Sequence, residues 1–328
     1  MVWAITIIGI LLGLALLIIL VGYVAYSMVL IRQKEKRHVQ NFNDEETQRQ
    51  SEISNTMREE GRAWFDTKGA QDVSLQSRDG LKLCGWYLPA PKPSNKMVVF
   101  SHGFTNHGLG EFPPFFKFYS EELNFHLLIP DHRSHGRSEG KYIGFSGLEW
   151  QDILDWADSF VGHLGSDPQV VLHGMSMGAA TVMNCNVHNP PDYVKFIIED
   201  CGFTNGFEIQ WLCAKRDLKM PKFLLPVMWA TGMWYKVFTG KSLRKDCDPY
   251  GNIEKFSKPT LFVSGEGDPF VPAEMSIRCH GAATVPKELF LVPDAKHCMA
   301  YYLDQEGYQE KLRAWVSKWI TEDVAATA

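Results

Sequence analysis

The sequence predicts an α/β domain built on a mostly parallel, eight-stranded sheet, preceded by one transmembrane helix. From residue 70 onward, short apolar runs alternate with segments of helical periodicity, a pattern typical of a sheet with helices on both faces. Before that point, no charged side chain occurs between Met1 and Ile31. These two observations divide the chain into a membrane segment and a folded domain.

The composition excludes several classes of protein. The chain has 328 residues, of which 45% are hydrophobic, so it can bury a large core even without its first 31 residues. The formal net charge of -5 provides no basic field for binding nucleic acid, and we expect no nucleic-acid partner. The 7 cysteines are scattered, show no zinc or redox spacing, and favour a reducing compartment.

Residues 1–31 predict a retained transmembrane anchor. The run 5–21 is almost entirely Ile, Leu, Val, Ala and Gly, and about 20 apolar residues suffice to cross a bilayer. The alternative, a cleaved signal peptide, would show a basic start and a small-residue cleavage site, and neither is evident. Basic residues follow at Arg32, Lys34, Lys36 and Arg37. By the positive-inside rule, they predict that the remainder of the chain is cytoplasmic.

The polar and charged residues 32–69 predict a solvated helical stalk or linker without chemistry of its own. Residues 70–328 form the predicted folded domain. Its strands are predicted at 72–77, 81–88, 97–101, 125–130, 169–173, 194–199, 260–264 and 288–292, and apolar stripes predict helices over 150–164 and 308–319. Between about 201 and 258 the alternation stops, and a segment rich in Trp, Phe, Leu and Met predicts a helical lid inserted between two strands.

The motif with the most specific chemistry lies at residues 174–178, which read G-M-S-M-G. It follows an apolar strand and precedes a small-residue helix, the context in which G-x-S-x-G forms a strained strand-to-helix turn. Ser176 would then lie at a helix N-terminus, where backbone N–H groups favour developing negative charge. We therefore predict Ser176 as a catalytic nucleophile and the N–H of Met177 as one oxyanion donor.

A serine hydroxyl becomes a good nucleophile only when a base accepts its proton. Three histidines follow Ser176. His188 lies in or just after the helix of the motif, and His280 precedes the last predicted strand. His297 follows that strand, on a turn at the carboxyl edge of the sheet, and is the predicted base; the alternative is a solvent-exposed loop histidine.

The acid that orients this base is predicted in the turn after strand 260–264. Asp268 lies at the far end of that turn, where its carboxylate can accept the imidazole N–H and fix the tautomer. Glu266 is the rival, although a solvated loop charge is its simpler interpretation.

A second oxyanion donor is predicted in residues 101–104, which read S-H-G-F after the third strand. We assign it to the N–H of Phe104, because Gly103 permits close approach of the backbone. His102 is expected to pack under the Ser176 turn as a structural side chain. Residues 131–138 read D-H-R-S-H-G-R-S; they contain metal-ligand residue types, but we interpret them as a polar turn and predict no metal site and no cofactor.

These motifs, in this order, resemble the α/β-hydrolase superfamily over about residues 72–320. More narrowly, the chain resembles bacterial membrane-anchored serine hydrolases akin to the prolyl-oligopeptidase and cinnamoyl-esterase-like branches. The shared segments are S-H-G-F, D-H-R-S-H-G-R-S, G-M-S-M-G, G-D-P-F-V-P at 267–272 and the turn that bears His297. The lid matches no family motif, so the resemblance does not transfer a substrate.

The expected function is hydrolysis of a carboxylic ester or thioester through an acyl-serine intermediate, with a small-molecule or lipid-like acyl ester as substrate. The near alternative is a serine peptidase or aminoacyl amidase. A third possibility is a non-catalytic binding protein on the same fold, because a fold does not by itself establish chemistry.

Overall fold

A computed structural model of the chain describes residues 1–32 and 45–321. Lys34, Lys36 and Arg37 of the predicted basic flank lie outside the described residues, as does the first part of the predicted stalk. The strands are β1 (Gln71–Gln76), β2 (Lys82–Leu88), β3 (Lys96–Ser101), β4 (His126–Pro130), β5 (Gln169–Met175), β6 (Val194–Asp200), β7 (Thr260–Gly265) and β8 (Lys287–Val292).

The strands form one eight-stranded sheet in the order β1-β2-β4-β3-β5-β6-β7-β8. β2 is antiparallel to both of its neighbours, and every pairing from β4 to β8 is parallel. These pairings confirm the predicted mostly parallel sheet. Each predicted strand also overlaps an observed one. The continuous apolar runs follow from burial on both faces, and β5, at the centre, is buried along its whole length.

The α-helices are α1 (Val2–Val29), α2 (Glu45–Asp66), α3 (Gly108–Glu111), α4 (Pro113–Lys117), α5 (Glu149–Val161), α6 (Met177–Val187), α7 (Gly206–Asp217), α8 (Leu225–Thr239), α9 (Glu274–Ala282), α10 (Ala300–Leu303) and α11 (Gln305–Trp319). A π-helical turn spans Phe118–Glu122, and 3-10 turns span Gly162–Leu164, Lys222–Leu224 and Tyr250–Lys255.

Alternate side chains of the central strands point into separate hydrophobic clusters. Val98 and Phe100 of β3 pack with α4 and α11 on one face. Met97 and Val99 of the same strand pack with α5 and α6 on the other face. The period of two along a strand therefore fills the core on both sides of the sheet.

The α2 helix differs from the expected solvated stalk in one respect, because one of its faces packs on the folded domain. Phe65 is buried, and its ring lies 5.1 Å from that of Phe116 in α4. A Cβ on Gly61 would overlap the backbone of Pro113, so the two helices are in close contact. Most residues of α2 are polar, so its composition alone does not reveal which few positions are buried.

The α1 helix has 28 residues and is long and apolar enough to cross a membrane. Residues 1–17 are exposed, whereas Gly22 and Tyr26 of α1, and Leu30 directly after it, are buried. Gly22 and Tyr26 contact α8, which with α7 forms the helical insertion between β6 and β7. The predicted lid is thus present, and α1 packs along it.

Candidate active site

The turn between β5 and α6 holds Ser176 in a strained conformation. Its backbone has φ of 55° and ψ of -118°, a region that residues other than glycine rarely adopt. The N–H of Ser176 donates to the carbonyl oxygen of Asp200 at the end of β6, at 2.8 Å. The side chain is therefore held at the carboxyl edge of the sheet, with only 7% of its surface exposed.

The two glycines of the motif are required by close backbone approach. A Cβ on Gly178 would overlap the carbonyl oxygen of Ser101 in β3. A Cβ on Gly174 would overlap the carbonyl oxygen of Gly178 itself. The G-x-S-x-G spacing therefore lets α6 begin against β3 and β5 without displacing Ser176.

We expect Gly178→Ala to lower the free energy of unfolding by about 3 kcal/mol, because the new methyl group meets immobile backbone atoms. Gly232→Ala is the matched control, since Gly232 also lies inside a helix but no atom lies within 4 Å of its would-be Cβ. The control should be neutral or stabilising, by up to about 1 kcal/mol from helix propensity. Urea denaturation of the detergent-solubilised chain measures both; equal effects would contradict the close approach.

Three side chains from separate loops meet in one hydrogen-bonded row. The Oγ of Ser176 lies 2.8 Å from Nε2 of His297, and Nδ1 of His297 lies 2.6 Å from Oδ2 of Asp268. The other oxygen, Oδ1 of Asp268, accepts from the N–H groups of Phe270 and Val271 at 2.7 and 2.9 Å. The carboxylate is thus fixed while it faces the imidazole. Glu266, the rival acid, is exposed.

Two opposing effects act on the protonation of His297. Burial lowers the pKa of its imidazole, whereas the Asp268 carboxylate raises it, and the pKa lies well above its ordinary value of 6.5. The neighbouring Cys201 thiol stays protonated, since burial raises its pKa far above 9.0. Asp268 is therefore the group to which we attribute the increase.

The loop after β3 lies directly beside Ser176. A Cβ on Gly103 would come 3.2 Å from Cβ of Ser176, so the main chain at Gly103 lies beside the Ser176 side chain. The N–H of Gly103 donates to the buried carboxyl group of Glu111 at the end of α3. Sequence reasoning did not single out Glu111, because an acid in a short helix carries no motif.

The side chains of His102 and of the 131–138 turn hold neighbouring loops together. His102 is buried, and its Nε2 accepts from the N–H of His132 at 2.9 Å. Arg133 pairs with the buried Asp152 at 2.6 Å and also with Asp79. These contacts join neighbouring loops, as expected for a polar turn.

A buried polar network under the Ser176 turn was not anticipated from the sequence. Tyr308 of α11 donates to Oδ2 of Asp200 at 3.0 Å and lies 3.1 Å from Nε2 of His173. Tyr119 lies 3.2 Å from the other ring nitrogen of that histidine. Burial raises the pKa of Asp200 to about 7. Asp200 is the last residue of β6, and a carboxylate at the end of a strand is the sequence signal that could have marked it as a second candidate acid.

Among the described residues, one set of potential metal ligands lies close together, namely Cys201, His297 and Cys298, whose ligand atoms lie within 4.8 Å of one another. Both ring nitrogens of His297 already face Ser176 and Asp268. Contact with Cys201 lowers the pKa of Cys298 but burial raises it to about 11. A metal would need the thiolate forms and would compete with the hydrogen-bonded row, so this set fits a metal poorly.

Aromatic side chains lie beside the row and in the start of the lid. Phe270 lies with its ring 5.0 Å from that of His297. Phe203, at the start of the lid, stacks on Phe145 with ring centroids 5.0 Å apart, and Phe104 lies 5.9 Å from the same ring. Arg216 of α7 adds a cation, with its guanidinium carbon 4.7 Å from the centre of the Phe270 ring.

The comparisons with known proteins agree with this architecture. Residues 98–307 match the model of the "Alpha/beta hydrolase family". The chain is 24% identical to YqkD of Bacillus subtilis (strain 168), over 74% of this chain and 77% of that protein. It is 30% identical to human Protein ABHD12B, over 64% of this chain and 55% of that protein.

Solved structures show the same fold at low identity. An esterase of Pyrococcus furiosus superposes with a TM-score of 0.61 at 20% identity, over 78% of this chain and 92% of the esterase. An acylaminoacyl peptidase of Pyrococcus horikoshii superposes with a TM-score of 0.56 at 16% identity, over 79% of this chain and 44% of the peptidase. With the family model matching well over half of its length, this chain belongs to the alpha/beta hydrolase family.

Proposed function

We propose that the protein is a serine hydrolase in which Ser176 is the nucleophile, His297 the general base and Asp268 the orienting acid. The observation that carries the proposal is the row from Oγ of Ser176 through His297 to Asp268, with contacts of 2.8 and 2.6 Å. Nucleophile, base and orienter within hydrogen-bond distance are what activation of a serine hydroxyl requires.

In the proposed reaction, Nε2 of His297 takes the proton of Ser176 as Oγ attacks the substrate carbonyl carbon. The N–H groups of Met177 and Phe104 stabilise the negative charge that forms on the carbonyl oxygen. The imidazolium then protonates the leaving group, and an acyl-serine remains. Water, deprotonated by the same imidazole, releases the acid and restores Ser176.

We further propose that the scissile bond is a carboxylic ester or thioester. The aromatic rings of Phe270, next to His297, and of Phe203, at the start of the lid, support an acyl or aromatic group in the substrate. The structural similarity to the Pyrococcus furiosus esterase is consistent with this choice. A small-molecule or lipid-like acyl ester is the substrate class that follows.

Peptide or aminoacyl amide hydrolysis is the second candidate, favoured by the structural similarity to an acylaminoacyl peptidase. Comparing kcat/KM on acyl nitrophenyl esters and aminoacyl nitroanilides separates the two. We expect measurable turnover of the esters and little or none of the amides. Preferred turnover of the amides would replace the esterase assignment. If the protein shows no turnover of either substrate and is not labelled by a fluorophosphonate, the third possibility, a non-catalytic binding protein, is left.

We propose that α1 is a retained single-pass anchor and that the catalytic domain is cytoplasmic. Removal of α1 as a signal sequence would expose the lid surface that now buries Gly22 and Tyr26. The positive-inside rule supports the cytoplasmic orientation through the basic residues that follow α1. Mass spectrometry of the purified chain tests retention, because cleavage would remove the first residues from the mature protein.

Gln50 of α2 is a candidate positioning residue for His297. Its Oε1 accepts from the N–H of Lys296 and its Nε2 donates to the carbonyl oxygen of Asp294, both at 2.9 Å. Gln50 is 1% exposed, so these bonds are shielded from water. The predicted stalk therefore contributes to the loop that bears the base.

We expect Gln50→Ala to lower kcat by about tenfold with KM unchanged, because the imidazole would no longer be held in line with Ser176. Asn55→Ala, an exposed position of the same helix, is the matched control and should have no effect. Ester kinetics with both variants measure the difference. An unchanged kcat in Gln50→Ala, or a fall in stability alone, would contradict the positioning role.

A further inference from the structure

The apolar side chains of the lid fall into two sets, and one set faces outward. Among the described residues, every exposed large hydrophobic side chain lies either within residues 1–29 or between Leu218 and Val237. The outer lid surface consists of Leu218, Phe223, Leu224, Trp229, Met233 and Val237. Phe223 is 78% exposed and Val237 62%. Soluble monomers rarely expose a contiguous apolar patch without a partner for it.

The last part of this surface follows helical geometry. Trp229, Met233 and Val237 are spaced by four residues, which places them on one side of α8. Other positions of α8 point inward, including the buried Val227, Thr231 and Tyr235. The sequence of α8 therefore maintains a second apolar face in addition to the one that packs on the domain.

The outer lid surface is continuous with the exposed part of α1. Trp234 of α8 donates to the carbonyl oxygen of Ile19 at 3.0 Å, and Gly22 meets Ala230 in close contact. Farther along, Tyr26 stacks on Phe238 with ring centroids 5.3 Å apart. The Gly22–Ala230 and Tyr26–Phe238 pairs advance together along both helices, so the two helices run in the same direction. The start of α8 therefore lies toward the side from which the exposed residues 1–17 of α1 project.

The charge around this surface contrasts with that of the whole chain. Residues 215–245 contain a single acid, Asp217, and eight basic residues, namely Lys215, Arg216, Lys219, Lys222, Lys236, Lys241, Arg244 and Lys245. The chain as a whole has a net charge of -5. Most of these basic side chains are exposed. We call these eight basic residues the basic rim. Basic residues next to an apolar face are typical of elements that lie in the interfacial region of an anionic membrane.

We propose that the outer lid surface inserts into the interfacial region of an anionic lipid bilayer, beside the point where α1 enters the membrane. The apolar side chains would lie at the level of the acyl chains, and the basic rim would contact anionic headgroups. The inference goes beyond the proposed hydrolase activity and rests on α1 being the membrane anchor. The lid also reaches the candidate site, since Arg216 donates to the carbonyl oxygen of Pro269 at 2.6 Å.

Lipid contact can be measured position by position in the full chain. We would introduce Phe223→Cys or Val237→Cys, attach an environment-sensitive fluorophore, and reconstitute the protein in phosphatidylcholine and phosphatidylglycerol vesicles that contain nitroxide-labelled acyl chains. Asp192→Cys, an exposed position between α6 and β6, is the matched control. The unsubstituted chain measures labelling of the native thiols, of which Cys84 and Cys213 are half-buried. We expect quenching at both lid positions and none at Asp192.

The outcomes separate this proposal from the anchor and from the activity. If the chain floats with the vesicles but the lid fluorophores are not quenched, the surface proposal is overturned while the anchor remains. If the chain does not float with the vesicles, the anchor assignment fails. Crosslinking between two lid positions without lipid quenching would instead identify a second copy of the chain as the occupant. Ester turnover in detergent reports on the hydrolase proposal independently.

The basic rim has its own test. We expect the double variant Lys219→Glu and Lys222→Glu to lose most of the quenching at Val237→Cys in vesicles that contain phosphatidylglycerol. The control pair Lys92→Glu and Lys117→Glu makes the same change of charge at exposed positions outside the lid and should leave quenching unchanged. Equal quenching in both variants would overturn the role of anionic headgroups.

Discussion

Ser176→Ala is expected to lower kcat for ester hydrolysis by about a million-fold, to the level set by binding and oxyanion donors alone. The variant lacks the oxygen atom that would form the acyl intermediate, and within residues 1–32 and 45–321 the hydroxyl 2.8 Å from His297 Nε2 is that of Ser176. A fluorophosphonate that phosphonylates activated serines should label the wild-type chain and not the variant. Kinetics and labelling together separate loss of the nucleophile from loss of substrate binding.

Ser264→Ala is the matched control for this change. Ser264 is a fully buried serine in β7 whose hydroxyl has no hydrogen-bond partner among the described residues, so its removal breaks no bond there. We expect it to retain labelling and turnover. Equal labelling of wild type and Ser176→Ala would reject Ser176 as the nucleophile and, with it, the proposed acyl-serine.

Asp268→Asn is expected to lower kcat by about ten-thousand-fold, because an amide neither enforces the required tautomer of His297 nor stabilises its imidazolium. The pH profile gives a second readout. Only neutral His297 can accept the proton of Ser176, so kcat/KM rises as pH increases through the pKa of His297. Asp268 raises that pKa above 6.5. Its replacement should therefore shift the acid limb of the profile to lower pH.

Glu266→Gln is the matched control, because Glu266 lies two residues before Asp268 and is exposed. Removing its charge should alter neither kcat nor the pH profile. An Asp268→Asn variant with wild-type kinetics would contradict the assignment of the acid. Asp200 would then be the residue to test, since it ends β6 close to Ser176 and burial raises its pKa to about 7. Asp200→Asn distinguishes these two carboxyl groups.

Much of the fold was predictable because its signals are local. Strands buried on both faces must be apolar throughout, so β3, β5 and β7 are recognisable as continuous hydrophobic runs. The position of Ser176 followed from the two glycines that its turn needs. The period of each helix and strand is a property of adjacent residues, and tertiary packing changed their ends very little.

Other features were hidden because they depend on residues distant in sequence. Gln50 is one polar residue in a polar helix, and only the approach of α2 to residues 294–296 gives it partners. Glu111 faces Gly103 because α3 folds back on the loop after β3. Neither residue type nor spacing distinguishes them from solvated side chains.

The lid also combines features that local sequence predicts with features that depend on tertiary packing. Its aromatic and aliphatic content predicted an insertion between two strands, but not which side chains point inward. Phe203 is buried against Phe145, whereas Phe223 and Trp229 are exposed. An apolar side chain has the same sequence signal whether it packs on protein or faces lipid.

By itself, the sequence determined the membrane-length helix, the order of strands and helices along the chain, and the small set of candidate residues for a catalytic site. Local periodicity and short motifs are sufficient to predict those properties. Only the tertiary structure decided which candidates meet, how α2 joins the loop that bears His297, and which side of the lid remains uncovered. Contacts between residues tens to hundreds of positions apart depend on how whole elements pack, and no local pattern encodes that packing.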